Sequence, residues 1–283
     1  IVDQRVQAMG ADGRLILDGN NAVYQVNLTE KLLVTLLTKV SNFIPDVGVW
    51  MNTQRPEWND ANNALVGNGV SVVTLCYLHR FLKRAIALLA TIESDQVMLS
   101  CSVAQLLKNL HQVLLQHKAA ITSGPVSPRV REAVMAGLGN AAELYREELY
   151  ESGFSGEKQS VSLSTISNFL ELSLESSAVS IASNRREDGL FHAYNRISWT
   201  DSGVEIRYLY EMLEGQVAVL SAEVLSAEEA LHVLQTLRKS PLYTARQHSY
   251  LLYPNRRLPA FINRNCIPEN FIKQSSLMTQ LID

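Results

Sequence analysis

A chain of 283 residues with 47% hydrophobic and 19% charged side chains carries enough apolar material to bury a sizeable core. Its net charge of −3 gives no basic footprint for nucleic acid or an anionic membrane. The longest apolar runs, such as Ala85 to Ala90 between Arg84 and Glu93, fall far short of the ~20 residues that span a bilayer.

Three cysteines, Cys76, Cys101 and Cys266, are widely spaced with no CxxC pair, so neither a disulfide framework nor a metal site is expected. A reducing, cytoplasmic compartment follows, and Cys76 reads as a small buried hydrophobe in an apolar helix. The chain starts at Ile1 with no signal-peptide pattern and reads as an excised piece of a longer polypeptide.

In chain order, Arg14 to Asn20 is an apolar run between glycines that could form a short strand, and little else looks like sheet. Leu28, Leu32, Leu33, Leu36, Leu37 and Val40 recur at helical spacing, with Asn27 placed to cap and Glu30 three residues later, predicting a helix to about Phe43. Ser71 to Ile92 is apolar around too much of its circumference to leave one wet face, so that helix is expected to be largely buried. Val103 to Leu114 makes a regular stripe, and Ser127-Pro128 opens a helix through Tyr150 with proline at its favoured first position. Leu163 to Ile181 and Tyr208 to Leu220 read as helical, and Ser226 with Glu229 forms a capping box before a helix ending near Lys239. Gly153 to Lys158 has linker composition but is short, leaving 1–283 as a single domain. The expected class is all-α, built as an array of helical hairpins.

Chemistry concentrates between the first two long helices. Arg55 to Gly69 packs Glu57, Trp58, Asn59, Asp60, Asn62 and Asn63 into one segment. Trp58 offers a flat apolar face, the carboxylates offer proton transfer, and amides that donate and accept together suit a polyhydroxylated ligand. The plain alternative is a connecting loop in which Asp60 caps the next turn and Trp58 plugs the edge of the core.

Trp58-Asn59-Asp60, with Gly67 following and a long helix behind it, resembles the catalytic-acid region of the six-hairpin glycosidases, in particular the cellobiose-phosphorylase-like branch, where a Trp-Asn-Asp-Gly run is characteristic. Ala61 stands where that branch has glycine, and the rest of the chain enters only through its helical-hairpin character. The resemblance implies an (α/α)6 toroid, an oligosaccharide or glycoside substrate, and Asp60 as the acid protonating the glycosidic oxygen. About seven or eight helices are visible by periodicity, too few for six hairpins, so an incomplete toroid is expected.

An inverting hydrolase also needs a second carboxylate roughly 6.5–9.5 Å away to activate water. Glu205, Glu211 and Glu214 are the candidates; on a helix Glu211 and Glu214 would share a face. A phosphorylase would instead hold inorganic phosphate, for which Arg55, Arg207 and Arg256 are available. A second cluster, from Asp188 to Trp199, sets His192, Tyr194, Asn195 and Trp199 together as candidate sugar contacts. Ser249 to Pro259 reads as an extended loop that could wall a subsite. Histidine spacing gives no metal site, and no phosphate loop, serine elbow or dinucleotide fingerprint is present, so no cofactor is expected. A non-catalytic helical module that binds glycans or scaffolds a partner is the rival reading.

Overall fold

The computed structural model describes residues 2–20, 22–51, 69–255 and 257–282. The chain falls into two compact units, Ile1–Tyr253 and Pro254–Asp283. In the first, α1 (Val2–Met9) runs into a 3-10 turn (Gly10–Arg14) and is followed by α2 (Leu28–Val40), β1 (Phe43–Ile44), β2 (Gly48–Trp50), β3 (Gly69–Ser71) and α3 (Val72–Leu89). Then come β4 (Gln96–Ser100), α4 (Cys101–Gln116), α5 (Lys118–Ile121), α6 (Pro128–Ser152), β5 (Lys158–Ser162) and α7 (Leu163–Ala182). β6 (Tyr194–Thr200), β7 (Gly203–Tyr208), α8 (Leu213–Ser221), α9 (Ala227–Lys239), β8 (Tyr243–Thr244) and β9 (Ser249–Tyr250) complete it. The second unit holds α10 (Phe261–Arg264), α11 (Glu269–Gln274) and α12 (Ser276–Gln280), with no buried residue in any of the three.

The all-α expectation is wrong. Of the described residues 56% are helical and 15% are strand, and an antiparallel sheet in the order β1-β2-β3-β6-β7 makes this a mixed α/β fold. An α/α toroid, complete or partial, is thereby excluded. β1, β2 and β3 escaped periodicity because they are two or three residues each, too short to show an alternation. The predicted helix from Tyr208 to Leu220 is also corrected: Tyr208 closes β7, and α8 starts only at Leu213.

The helical predictions rest on local signals that the structure uses. Ser127 accepts from Val130 N with Pro128 opening α6, and Ser226 with Glu229 closes a reciprocal capping box on α9. Asn27 caps α2 through Glu30 N, but the Glu30 carboxylate turns away from the cap. It is 2% exposed and accepts from both Ser100 N, at 3.0 Å, and Ser100 Oγ, tying α2 to the end of β4.

α3 and α7 form the central helix pair. Four serines of α7, Ser173, Ser176, Ser177 and Ser180, are buried there, because small side chains let the helices approach closely. Three hydroxyls satisfy themselves on their own helix, as Ser173 Oγ does on Phe169 O at 2.8 Å. Ser177 also meets His79 Nδ1 of α3 at 2.9 Å. Around this pair Leu37, Leu75, Leu82, Leu110, Leu114 and Phe169 are fully buried.

The sheet is locked to the helices by one buried ion pair. Asp46, in the β1–β2 turn with a left-handed φ of 65°, is 2% exposed; Arg131 of α6 is 5% exposed. Arg131 Nη2 donates to Asp46 Oδ2 at 3.0 Å, its Nε to Pro45 O at 3.0 Å and its Nη1 to Val204 O of β7 at 2.8 Å. Asp46 Oδ2 also accepts from Val126 N at 2.7 Å, its backbone N–H donates to Ser180 Oγ, and its carbonyl accepts from Asn184 Nδ2. Arg131→Met would strand the Asp46 carboxylate in the interior and is expected to cost about 3–5 kcal/mol of unfolding free energy in urea titration. A loss under about 1 kcal/mol would show that the pair does not carry this junction.

Candidate functional site

Residues 52–68 join β2 to β3, two neighbours in the sheet. The register there is set by Trp50 opposite Val70, Val49 opposite Ser71, and a hydrogen bond from Met51 N to Gly69 O at 3.3 Å. Gly48 is required beside it: its φ is +137°, and a Cβ would lie 2.6 Å from the Ser71 carbonyl oxygen. Ser71 then caps α3 by accepting from Thr74 N, so strand passes into helix without a loop. Glu57, Trp58, Asn59, Asp60, Asn62 and Asn63 lie outside the described residues, as do Arg55 and Arg256.

The second cluster is mounted on β6, the other neighbour of β3. Gly69 pairs with Arg196, Val70 with Asn195 and Ser71 with Tyr194. The cluster divides by burial. Trp199 is 54% exposed and its ring meets that of Trp50 edge-on at 6.4 Å, so it stands where β2 and β3 lead into residues 52–68. Asn195 is fully buried instead, its Nδ2 donating to Val47 O at 2.9 Å and Asn184 Oδ1 at 2.6 Å. Tyr194 is 4% exposed. Both sit in the interior that supports the sheet.

His192 lies beyond the start of β6, in a cleft built on a tight turn. Arg186 N bonds Leu190 O at 2.8 Å, and Gly189 N bonds Arg186 O at 3.0 Å. Gly189 takes a φ of +85°, where a Cβ would also strike His232 at 2.7 Å, so this Asp-Gly turn needs its glycine. The turn presents Arg186, whose guanidinium grips Asp188 through Nε and Nη2 and reaches Glu211 at 3.2 Å. Tyr208 stacks on His192 with centroids 4.4 Å apart and planes 18° from parallel. Burial pushes the Asp188 carboxyl up, but the Arg186 hydrogen bonds and charge outweigh it and hold the group below its ordinary value.

Glu211 and Glu214 do not share a helical face, because Glu211 sits in the extended stretch before α8 while Glu214 is in its first turn. Both are partly buried, and Glu214 is engaged in an interaction of its own. Glu205 is an exposed residue of β7, opposite Ser198, and accepts from Ser202 Oγ of the β6–β7 turn at 2.9 Å. Among the described residues no group of three or more His, Cys, Asp or Glu side chains is placed to hold a metal ion. What sequence reasoning missed was Arg186 and its pairing across Asp188 and Glu211. The Asp188-Gly189 turn was the available signal, since it folds Arg186 back toward residues beyond β7.

No protein-family model matches the chain, and no curated protein matches it at a significant level.

Burial lowers the pKa of His79, His111 and His192 below the ordinary 6.5, assisted by Lys83 at His79 and by Arg186 at His192. As the pH falls through 6.5 the unfolded chain takes up protons that the folded chain still refuses, so stability is full above that value and declines below it. The urea midpoint is expected to fall between about pH 7 and pH 5. His79→Gln and His192→Gln should each flatten that slope; a slope unchanged in both variants would contradict the assignment.

Proposed function

We propose that the chain acts on carbohydrate, breaking a glycosidic bond by hydrolysis or phosphorolysis with Asp60 as the proton donor. The observation that carries this reading concerns the strands on either side of residues 52–68. β2 and β3 are adjacent and their register is closed by hydrogen bonds, and a half-exposed indole, Trp199, packs on Trp50 at the end of β2. Reactive loops work best when both ends are fixed to rigid elements, and an exposed indole is a platform for a sugar face. The reading takes the local chemistry of the segment and drops the toroid.

In the reaction Asp60 gives its proton to the glycosidic oxygen as the anomeric carbon–oxygen bond breaks, the bonding pair leaving with that oxygen. Water or phosphate attacks the anomeric carbon. For hydrolysis a second carboxylate takes the proton of the water, a role for Glu214 or for Glu211, which Arg186 holds in place. Trp58, Asn59, Asn62, Asn63 and Glu57 are assigned to the sugar-contacting surface with Trp199 and His192. Arg55 is kept as a phosphate contact. Tyr194 and Asn195 support β6 from the interior rather than meet ligand. The substrate is an oligosaccharide or glycoside, with no polynucleotide partner. Among the described residues no helix is long and apolar enough to cross a membrane. Three unpaired cysteines support a reducing, cytoplasmic setting.

The test is sugar release from α- and β-linked oligosaccharides, with and without phosphate, comparing the intact chain with Asp60→Asn. The variant is expected to lose roughly 10²–10⁴-fold in rate, and a phosphate requirement would select phosphorolysis. Absence of release from the whole panel by the intact chain would contradict the reading and leave a non-catalytic module that binds glycans or scaffolds a partner.

A further inference from the structure

His192 Nδ1 lies 3.0 Å from the backbone oxygen of Leu209. A carbonyl oxygen can only accept, so in the neutral ring Nδ1 carries the proton and Nε2 is a bare acceptor. No hydrogen bond to Nε2 is made among the described residues, and the stack on Tyr208 fixes the ring plane and therefore the direction of its lone pair.

His192 and Tyr208 line a cleft of about 470 Å³ together with Ser183, Arg185, Arg186 and Asp188. That volume lies within the range of small-ligand pockets, roughly 300–1,000 Å³. Its cations are already matched: Arg186 by Asp188 and Glu211, and Arg185 by Glu229 at 3.2 Å. Glu187 is the remaining charged side chain, and it is exposed. The Ser183 hydroxyl is engaged with Asp46 Oδ1 and Val179 O, both at 3.1 Å. A site whose arginines are each held by a carboxylate has little to offer an anion, while a bare imidazole nitrogen and a phenol suit O–H groups.

We infer that this cleft is a binding subsite for a neutral, hydroxyl-bearing ligand, a sugar ring, with His192 Nε2 accepting a hydrogen bond from a ligand hydroxyl and the Arg186–Asp188–Glu211 bridge holding the cleft wall. The inference rests on the carbohydrate reading for its choice of ligand and deepens it by assigning the subsite. Acid opposes it directly. A protonated ring turns Nε2 into a donor, and the groups facing His192 act in opposite senses, Arg186 resisting that proton and Asp188 and Glu211 favouring it.

The experiment is calorimetric titration of the 283-residue chain with glucose, galactose, mannose, maltose and cellobiose, for the intact protein, His192→Phe and Asp60→Asn. His192→Phe keeps an aromatic ring against Tyr208 and deletes the acceptor. Saturable binding of at least one sugar is expected, weakened about tenfold or more in His192→Phe and declining with acid only in chains that keep the imidazole. In the intact protein, needing no variant, sugar should move the ¹⁵N resonance of His192 Nε2 far more than that of Nδ1. No saturable binding, equal affinity in His192→Phe, or an Nε2 resonance indifferent to sugar overturns the subsite. Sugar bound through His192 without Asp60-dependent turnover would fail the catalytic reading alone, while Asp60-dependent turnover with an indifferent His192 would fail the subsite alone.

Discussion

The Asp46–Arg131 pair is the constraint on which the remaining geometry depends. A buried carboxylate left unpaired is costly, so the β1–β2 turn can close only where a guanidinium and several N–H or O–H groups converge on it. On the carboxylate these are Val126 N ahead of α6, Arg131 within it and Ser183 Oγ at the end of α7, while Ser180 Oγ accepts from the Asp46 N–H and Asn184 Nδ2 donates to the Asp46 carbonyl. Because Arg131 also holds Val204, the same residue fixes the far edge of the sheet. The positions of β2 and β3, and so the anchor points of residues 52–68, follow from that closure.

The network continues into the cleft. Asn184 bonds Asp46 on one side and receives Asn195 Nδ2 on the other, while its carbonyl accepts from His192 N. The turn carrying Arg186 and Asp188 therefore starts from a residue already fixed by the buried pair. Trp199, packed on Trp50, and the His192 cleft lie toward opposite ends of one strand, β6, with His192 just ahead of its start.

Much of the helical framework was legible in the chain because capping and periodicity act locally. Ser127-Pro128 and Ser226 with Glu229 mark helix starts by satisfying nearby N–H groups, and nothing distant is needed to read them. The sheet was not legible for the opposite reason. β1 to β3 contribute two or three residues each and exist because β3 pairs with distant β6, with β2 added to β3 and β1 to β2. Arg131 looks like any other cation on a charged helix, and only the fold shows that it faces Pro45, Asp46 and Val204. Glu211 was read as helical because Tyr208 to Leu220 is apolar at intervals that suit a helix, whereas Tyr208 completes a hairpin with β6 and the helix starts only at Leu213. In the candidate site, Trp199 and His192 were singled out by composition, while the burial of Asn195 and Tyr194 depends on strand pairing that no local pattern reveals.

The central claim is that Asp60 acts as an acid rather than as a structural carboxylate, and leaving-group dependence tests it most directly. An aryl glycoside with a strongly electron-withdrawing ring departs without help from a proton, so it needs attack at the anomeric carbon but not the acid. Asp60→Asn should retain activity to within about tenfold on a dinitrophenyl glycoside of the accepted sugar while losing roughly 10²–10⁴-fold on the unactivated oligosaccharide. Equal losses on both substrates would show that the residue shapes the segment without donating a proton, and would contradict the account.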